Sequence, residues 1–449
     1  MGIETLETDL LVVGAGMAGM TAAAAAAREG ANVVVIEKGP DIGGSAVLSG
    51  GGAWTIHADA VGTLPRMDPL GDAALAQVLA DDYPGTVQWM EGCGAQAGPL
   101  ARTDAIQGFP SVVRVIDVLA YIRLCRAEVR DRGGWIVTGS QPESLVLDGG
   151  RVVGAEVVDC DGARTRVAAR WTLLATGGFQ GSPAMRRDLI GEHAAELMLR
   201  ANPHSDGAGV RLALTAGAAL RPPLDAFYGH LMPAPLHRAL EPRDFIRLAQ
   251  IYSPRAILLD RDGRRFADES HAYYTNAVAV SAQPARRALL VADETVRQYD
   301  LTAYRGQDVI DRFAEARAEG AHVVEAGTIA ELDRAAAGWG YRGVGAALRE
   351  FNARVAADPD ALVPARRAHR RPLDTAPWLA MEVQPAITMT FRGLLIDADA
   401  RVLDGRGTPV PGLLAAGADA CFYGRTYLGG LAMAAVFGRR AARTALDNA

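Results

Sequence analysis

Cysteine is scarce in this sequence, and positive charge is nowhere concentrated. The 4 cysteines among the 449 residues never stand in C-x-x-C spacing, so we expect neither a zinc motif nor a dithiol redox motif, and no metal site. Lysine and arginine number 46 against 52 aspartates and glutamates, spread along the whole chain. Because nucleic-acid binders carry a basic patch or stripe, we expect no nucleic-acid partner.

Signals for secretion or membrane insertion are also lacking. The N-terminal residues MGIETLETD are acidic and have no basic region, which favours a cytoplasmic protein. The uncharged run Leu10–Ala27 contains several glycines, so it predicts a strand, a turn and a helix rather than a transmembrane segment. With 49% hydrophobic and 22% charged residues, the composition is that of a globular protein with a large core.

The N-terminal segment has the order strand, glycine turn, helix, strand and acidic residue. Asp9–Val13 is an apolar run of the kind buried on both faces of a sheet, and the alanine-rich segment Met20–Glu29 favours a helix. The turn between them reads Gly-Ala-Gly-Met-Ala-Gly over residues 14–19, and a second apolar run, Ala31–Ile36, ends at Glu37. This order and spacing predict a dinucleotide-binding fold.

Each residue type in this segment has a chemical reason. Gly14 permits a tight turn, Gly16 lets the backbone approach a pyrophosphate, and Gly19 lets helix and strand pack closely. The carboxylate of Glu37 can accept hydrogen bonds from ribose hydroxyls. Residues 39–54 are rich in glycine and serine, whose amides and hydroxyls suit the ribityl chain and ring of a flavin, so FAD is favoured over NAD.

Residues 39–54 also carry a family resemblance. They are similar to the corresponding stretch of the flavoproteins of the fumarate reductase, succinate dehydrogenase and 3-ketosteroid Δ1-dehydrogenase superfamily. Further segments resemble, in the same order, the strand that returns to FAD, the D-G segment with its helix, the R-F-x-[ND]-E signature, the closing FAD segment and the last helix. These segments are Leu173–Phe179, Ser205–Gly217, Gly263–Ser270, Gly412–Asp419 and Tyr427–Gly438.

The resemblance implies an α/β protein with noncovalent FAD. A Rossmann-like FAD-binding domain of the glutathione-reductase type is expected over residues 1–218 and 375–449, interrupted by an α+β capping domain for the substrate over residues 219–374. The histidine that carries covalent flavin in some relatives has no counterpart, since Gly44 and Ser45 stand at that position. The residues expected to hold FAD are Gly14, Gly16, Ala18, Gly19, Glu37, Lys38, Gly43, Gly44, Ser45, Ser49, Gly50, Gly51, Gly52, Ala175, Thr176, Gly177, Asp206, Gly207, Gly417, Asp419, Leu428, Gly430, Leu431 and Ala432.

Local patterns inside residues 219–374 predict three features. Residues 260–264, Asp-Arg-Asp-Gly-Arg, predict a hairpin turn. Thr328 and Glu331 have the spacing of a capping box. A helix is predicted from apolar residues at helical spacing, Val344, Leu348, Phe351 and Val355.

The catalytic positions of the superfamily separate its branches. Fumarate reductases place an arginine four residues after the glutamate of R-F-x-[ND]-E, a second arginine just before the terminal x-G-G, and a histidine ahead of T-M. Tyr273, Tyr427 and Ile387 stand at these positions, so fumarate reduction is disfavoured. Tyrosines at the first two positions resemble the 3-ketosteroid Δ1-dehydrogenases.

The resemblance gives the two tyrosines different roles. Tyr427 is expected to polarise the ketone, and Tyr273 to accept a proton from the carbon beside the one that loses hydride; Tyr274 is the alternative if the alignment slips by one residue. A C–H next to a carbonyl becomes acidic only if the developing enolate oxygen is stabilised. A phenol with a pKa of about 10 must have that pKa lowered to act as a base at neutral pH.

Two features depart from the steroid dehydrogenases. Their third tyrosine has no counterpart in residues 91–110. The segment Gln384–Phe391 looks closer to the tricarballylate-dehydrogenase-like branch, whose substrates bear carboxylates. Arg425 is therefore the candidate for binding a carboxylate, with Arg243 and Arg255 as weaker candidates.

These features favour an FAD-dependent dehydrogenase that introduces a C=C bond beside the ketone of a cyclic ketone. The ring is steroid-like or smaller, with an oxocyclohexanecarboxylate among the candidates. A dehydrogenase or reductase of di- or tricarboxylates is the alternative, and a flavin subunit of a membrane complex is disfavoured by the lack of iron–sulfur cysteines. Since no haem or iron–sulfur module is encoded, the expected electron acceptor is external: quinone, oxygen or a partner protein.

Overall fold

The computed structural model describes residues 4–103, 109–223, 225–303 and 309–447. Its strands, numbered in chain order, are β1 (Glu4–Val13), β2 (Val33–Ile36), β3 (Gly52–Ile56), β4 (Ala101–Arg102), β5 (Ser111–Val115), β6 (Trp135–Val137), β7 (Ser140–Asp148), β8 (Arg151–Asp159), β9 (Arg164–Leu174), β10 (Met198–Leu199), β11 (Phe227–Pro233), β12 (Ile257–Leu259), β13 (Ala288–Asp293), β14 (Val323–Ala326), β15 (Trp378–Thr390), β16 (Arg401–Leu403) and β17 (Pro409–Ala415).

The α-helices pack against these strands and connect them. They are α1 (Met17–Arg28), α2 (Leu64–Met67), α3 (Ala73–Gly92), α4 (Val118–Asp131), α5 (Pro183–Leu189), α6 (Glu192–Ala195), α7 (Ala208–Thr215), α8 (Asp244–Arg247), α9 (Tyr273–Ser281), α10 (Glu294–Ala303), α11 (Arg312–Ala318), α12 (Ile329–Gly338), α13 (Val344–Ala357) and α14 (Gly430–Asp447).

The largest sheet forms around β1. Its order is β16-β17-β9-β1-β2-β6, and the strands from β17 to β6 in this order run parallel. In addition, β8 pairs antiparallel with β9, and β7 pairs antiparallel with β8. Leu10 pairs with Val33 on one side of β1, and Val12 pairs with Leu173 on the other. These residues are almost fully buried, as predicted for a central strand covered on both faces.

The predicted glycine turn follows β1 and leads into α1. This helix begins at Met17, earlier than the predicted Met20, because Gly16 already caps it. Gly14 has a φ of +103°, and a Cβ there would lie 2.3 Å from the carbonyl oxygen of Ala175. A Cβ on Gly19 would lie 1.9 Å from the carbonyl oxygen of Gly14. Both positions therefore require glycine, as the sequence predicts.

The second sheet is organised by the long strand β15. Its first half pairs with β13 and β14, and its second half with β10 and β11; β12 extends the sheet beyond β13. Because β10 precedes residue 219 and β15 follows residue 374, the sheet does not end at the predicted domain boundaries. The division into domains therefore stays a prediction. A smaller sheet has the order β3-β5-β4.

The local predictions for residues 219–374 are confirmed. The amide of Asp260 donates to the carbonyl of Arg264 at 2.9 Å in a turn after β12. Thr328 and Glu331 form the capping box of α12. The predicted apolar residues of α13 are all buried. Among the described residues, no helix is both long and apolar enough to cross a membrane.

Gly19→Ala tests the close packing of α1 against the turn. We expect it to lower the free energy of unfolding by about 3 kcal/mol, because backbone must move to admit the methyl group. Gly16→Ala is the matched control: a Cβ there would meet no atom within 4 Å, so the loss should stay below about 1 kcal/mol. Chemical denaturation of cofactor-free protein measures both, and equal losses would contradict the packing argument.

Candidate active site

A cavity of about 730 Å³ lies at the carboxyl ends of β1, β2, β9 and β17 and is also lined by residues of β11 and β15. This volume is within the usual range of ligand sites, and the edge is where ligands bind open α/β sheets. The predicted FAD residues that line it are Gly14, Gly16, Ala18, Glu37, Lys38, Gly44, Ser45, Ser49, Gly50, Gly52, Ala175, Thr176, Gly177, Gly417, Gly430 and Leu431.

The N-terminus of α1 opens onto this cavity. Gly16 caps the helix, and no side chain of the described residues caps its first amides. These N–H groups and the helix dipole suit a pyrophosphate. Since a Cβ on Gly16 would meet no atom within 4 Å, the backbone there is open to a ligand.

Glu37 is buried at the end of β2. One carboxylate oxygen accepts the Ala15 amide at 2.8 Å, and the other accepts the Gly39 amide at 2.7 Å. An ionised carboxylate has about four acceptor sites, so Glu37 can hold the glycine turn and still accept ribose hydroxyls. Glu37 lines the cavity, as this role requires.

Two predicted FAD residues, Asp206 and Asp419, hold loops instead of lining the cavity. Asp419 is fully buried and accepts the amides of Thr176 at 2.5 Å and Gly178 at 2.8 Å; burial raises the pKa of its carboxyl, against the effect of these amides. Asp206 binds the Lys38 ammonium at 2.6 Å. Burial opposes the charge of Asp206, but the ammonium holds the pKa of that carboxyl below its usual value.

The remaining predicted FAD residues each adjoin a lining residue in the chain but do not themselves line the cavity. They are Gly19, Gly43, Gly51, Gly207, Leu428 and Ala432. The donor set as a whole fits FAD: helix amides for the pyrophosphate, the carboxylate of Glu37 for ribose, and the hydroxyl-bearing segment 45–49 for the remainder.

Three tyrosines line the cavity side by side. The hydroxyls of Tyr228 and Tyr273 are 2.8 Å apart, and the ring of Tyr228 stacks on that of Tyr427 with centroids 3.7 Å apart. The Tyr427 hydroxyl accepts the amide of Gly430 at 2.8 Å. Burial raises the pKa of Tyr427 to about 12 and raises that of Tyr228 well above its usual value. Both phenols are therefore protonated at neutral pH.

A buried carboxylate positions Tyr427. Asp68 accepts the amides of Gly424, Arg425 and Thr426 at 2.8–3.0 Å, directly before Tyr427 in the chain. Such charge-assisted bonds are stronger than those between neutral groups. The loop that leads into α14 is thus held at its backbone.

A second ionic cluster holds the segment that leads to Tyr273. Glu269 is fully buried, paired with Arg265 at 2.6 Å and with Arg366 at 3.0 Å. Tyr273 begins α9 and lines the cavity. Tyr274 does not line it; its hydroxyl accepts the backbone amide of Tyr427 at 3.4 Å instead. The structure thus favours Tyr273 over Tyr274 for contact with a ligand.

Sequence reasoning missed two cavity residues on β11. Tyr228 and His230 both line the cavity, with ring centroids 5.1 Å apart. Burial, with the charges of Arg200 and Arg312, holds the pKa of His230 well below its usual value. The available signal for a site was that Tyr228 and His230 are polar aromatic residues at alternate positions of an apolar strand. Tyr228 is thus a third tyrosine in the cavity lining, although residues 91–110 contain none.

The predicted carboxylate-binding role of Arg425 does not agree with the structure. Its side chain is 60% exposed and pairs with Asp225, outside the cavity lining. The amides held by Asp68 turn this segment into a loop, so closeness in sequence to Tyr427 does not bring both side chains to one site. Arg243 pairs with Glu241, and Arg255 lies over the ring of Tyr299; neither lines the cavity.

Known proteins resemble this chain over most of its length. The family model described as "FAD binding domain" matches residues 9–431. A probable fumarate reductase of Shewanella frigidimarina is 27% identical, over 98% of this chain and 76% of its own length. The 4-oxocyclohexanecarboxylate 2-dehydrogenase of Sinomonas cyclohexanicum is 26% identical, over 91% of this chain and 87% of its own length.

A solved structure shows the same fold. The 3-ketosteroid Δ1-dehydrogenase of Sterolibacterium denitrificans is 20% identical and superposes with a TM-score of 0.79, covering 99% of this chain and 100% of the other. The predicted α/β fold, FAD as cofactor and the relation to the fumarate reductase superfamily are confirmed. The chain belongs to the FAD binding domain family and is a flavin-dependent oxidoreductase.

Proposed function

We propose that this chain is an FAD-dependent dehydrogenase that introduces a C=C bond beside the ketone of a cyclic ketone. The observation that carries the proposal is the convergence of Tyr228, Tyr273 and Tyr427 in one cavity. Neutral phenols suit a substrate whose carbonyl gains charge during the reaction. The likeness to 4-oxocyclohexanecarboxylate 2-dehydrogenase, whose name indicates a cyclic ketone, supports the same chemistry.

Tyr427 has the properties of the ketone-polarising acid. With a pKa raised to about 12, it keeps its proton and donates it as a hydrogen bond to the carbonyl oxygen. The amide of Gly430 donates to the phenol oxygen at 2.8 Å and stabilises negative charge there as the enolate forms. Both donors are in place before the reaction, so no reorganisation is needed.

Tyr273 is proposed to accept the proton. A deprotonated Tyr273 can only accept, so we propose that the Tyr228 hydroxyl, which burial and the neighbouring tyrosines keep protonated, donates to it across their 2.8 Å contact. That bond favours negative charge on Tyr273, as a base requires. FAD, when bound, supplies the acceptor for the hydride that leaves the neighbouring carbon. We propose that FAD is bound noncovalently and that the final electron acceptor is external.

Dehydrogenation or reduction of di- and tricarboxylates is the second candidate function. It is favoured by the three arginines of the cavity lining, Arg102, Arg200 and Arg312, and by the likeness to a probable fumarate reductase. Anaerobic reduction of the bound flavin by substrate distinguishes the two functions. Cyclic ketones, with and without a carboxylate, form one substrate set, and saturated di- and tricarboxylates form the other.

Tyr427→Phe is expected to slow flavin reduction by cyclic ketones about 10²- to 10³-fold, because it removes the donor to the carbonyl oxygen. FAD content should not change, since the ring still stacks on Tyr228. Stopped-flow flavin bleaching measures the rate, and Arg425→Gln, an exposed position outside the cavity, is the control. Bleaching by carboxylates alone, unchanged in Tyr427→Phe, would move the assignment to the second candidate.

Tyr228→Phe should change the pH dependence. The deprotonated form of Tyr273 is the active one, so activity falls as the pH falls, and removing the donor makes that form harder to reach. In the pH profile of kcat/KM, the acidic limb should shift to higher pH by about one to two units, since a hydrogen bond to a charged group contributes about 1.5–3 kcal/mol. Tyr341→Phe, a buried tyrosine outside the cavity lining, should leave the limb in place. An unmoved limb in Tyr228→Phe would exclude Tyr228 as the donor.

A further inference from the structure

Arg200 is a buried cation in the wall of the cavity. It follows β10, and its backbone amide donates to the carbonyl of Ile387 at 2.8 Å, which ties it to β15. The guanidinium donates to the Thr388 hydroxyl at 3.1 Å and to the carbonyl of Phe245, and it lies over the ring of Phe245 with 4.9 Å to the centroid. These contacts hold the guanidinium in the wall of the cavity.

The same part of the lining holds a buried imidazole. His230 is neutral because burial and nearby positive charge disfavour its protonation. Its Nδ1 atom is buried and has no hydrogen-bond partner among the described residues, while Nε2 is 3.5 Å from the hydroxyl of Tyr228. An unpaired buried polar atom is costly, so a ligand group that pairs with Nδ1 would be favoured.

The strand order brings these groups together. β10 and β11 pair with the second half of β15 on its two sides, so Arg200, Thr388 and His230 come from three adjacent strands. All three side chains line the cavity beside the tyrosines, and the ring of His230 is 5.0 Å from that of Tyr273. A group bound here would lie beside the tyrosines of the same cavity.

We propose that Arg200, assisted by Thr388 and His230, binds a carboxylate carried by the ring of the substrate. An arginine fork matches the two oxygens of a carboxylate, and a neutral imidazole can add one N–H donor. The substrate class is then a small oxo-cycloalkane carboxylate. This inference deepens the proposed function and rests on it for the ketone part of the substrate.

Binding of two matched probes to the holoenzyme tests the site. Cyclohexanecarboxylate and cyclohexanecarboxamide have nearly the same shape, and neither carries a ketone. We expect the wild-type protein to bind the carboxylate about 10- to 100-fold more tightly than the amide, as measured by isothermal titration calorimetry. In Arg200→Gln the two affinities should agree within about threefold, whereas Arg200→Lys should keep part of the preference.

Matched variants keep the test decisive. Arg425→Gln lies outside the cavity and should keep the wild-type preference. If Arg200→Gln fails to retain FAD, Thr388→Val removes one hydroxyl at nearly constant volume and should reduce the preference about threefold or more. Equal binding of both probes by the wild type, or an undiminished preference in the variants, would overturn the inference. Failure of every ketone to bleach the flavin would instead contradict the proposed function, because the probes report binding alone.

Discussion

Three buried carboxylates hold the loops that surround the cavity, and the geometry of the site depends on them. Glu37 binds amides of the glycine turn and of the segment after β2, Asp419 binds amides after β9, and Asp68 binds three successive amides before Tyr427. A buried charge is tolerated only where hydrogen bonds replace water. Each carboxylate and its loop therefore depend on each other, and together they define the cavity wall.

β15 connects this wall to the groups that face the substrate. Its first half is paired on both sides within the second sheet, and its second half carries β10 and β11. Arg200 follows β10, and Tyr228 belongs to β11. Both residues line the same cavity as Tyr427. A shift of one residue in either pairing would move these side chains to the opposite face. The register of β15 thus sets which of these groups line the cavity.

Local sequence patterns predict the glycine turn that is expected to hold FAD. They do not predict which side chains come together at the tyrosines of the cavity. The turn from Gly14 to Glu37 is built from neighbouring residues whose roles follow from backbone geometry, so spacing alone predicts it. Tyr228 on β11 meets Tyr273 at the start of α9 only through packing between elements 45 residues apart in the chain, which no local periodicity encodes. The position of the Arg425 side chain outside the cavity could not be predicted for a related reason: a loop held at its backbone by Asp68 has no regular alternation from which the direction of a side chain can be read.

In the proposed reaction, the neutral tyrosines and Arg200 make different electrostatic contributions. A guanidinium is positive at every accessible pH, so it attracts an anion equally before and during the reaction and contributes to binding. A phenol contributes most when charge develops on the oxygen it contacts, which lowers the barrier. Tyr427, with the Gly430 amide already on its oxygen, has this second property, and Arg200, held by Thr388 and Phe245, has the first. An arginine at position 427 would instead place permanent charge where the proposed chemistry needs charge to be stabilised only as it forms.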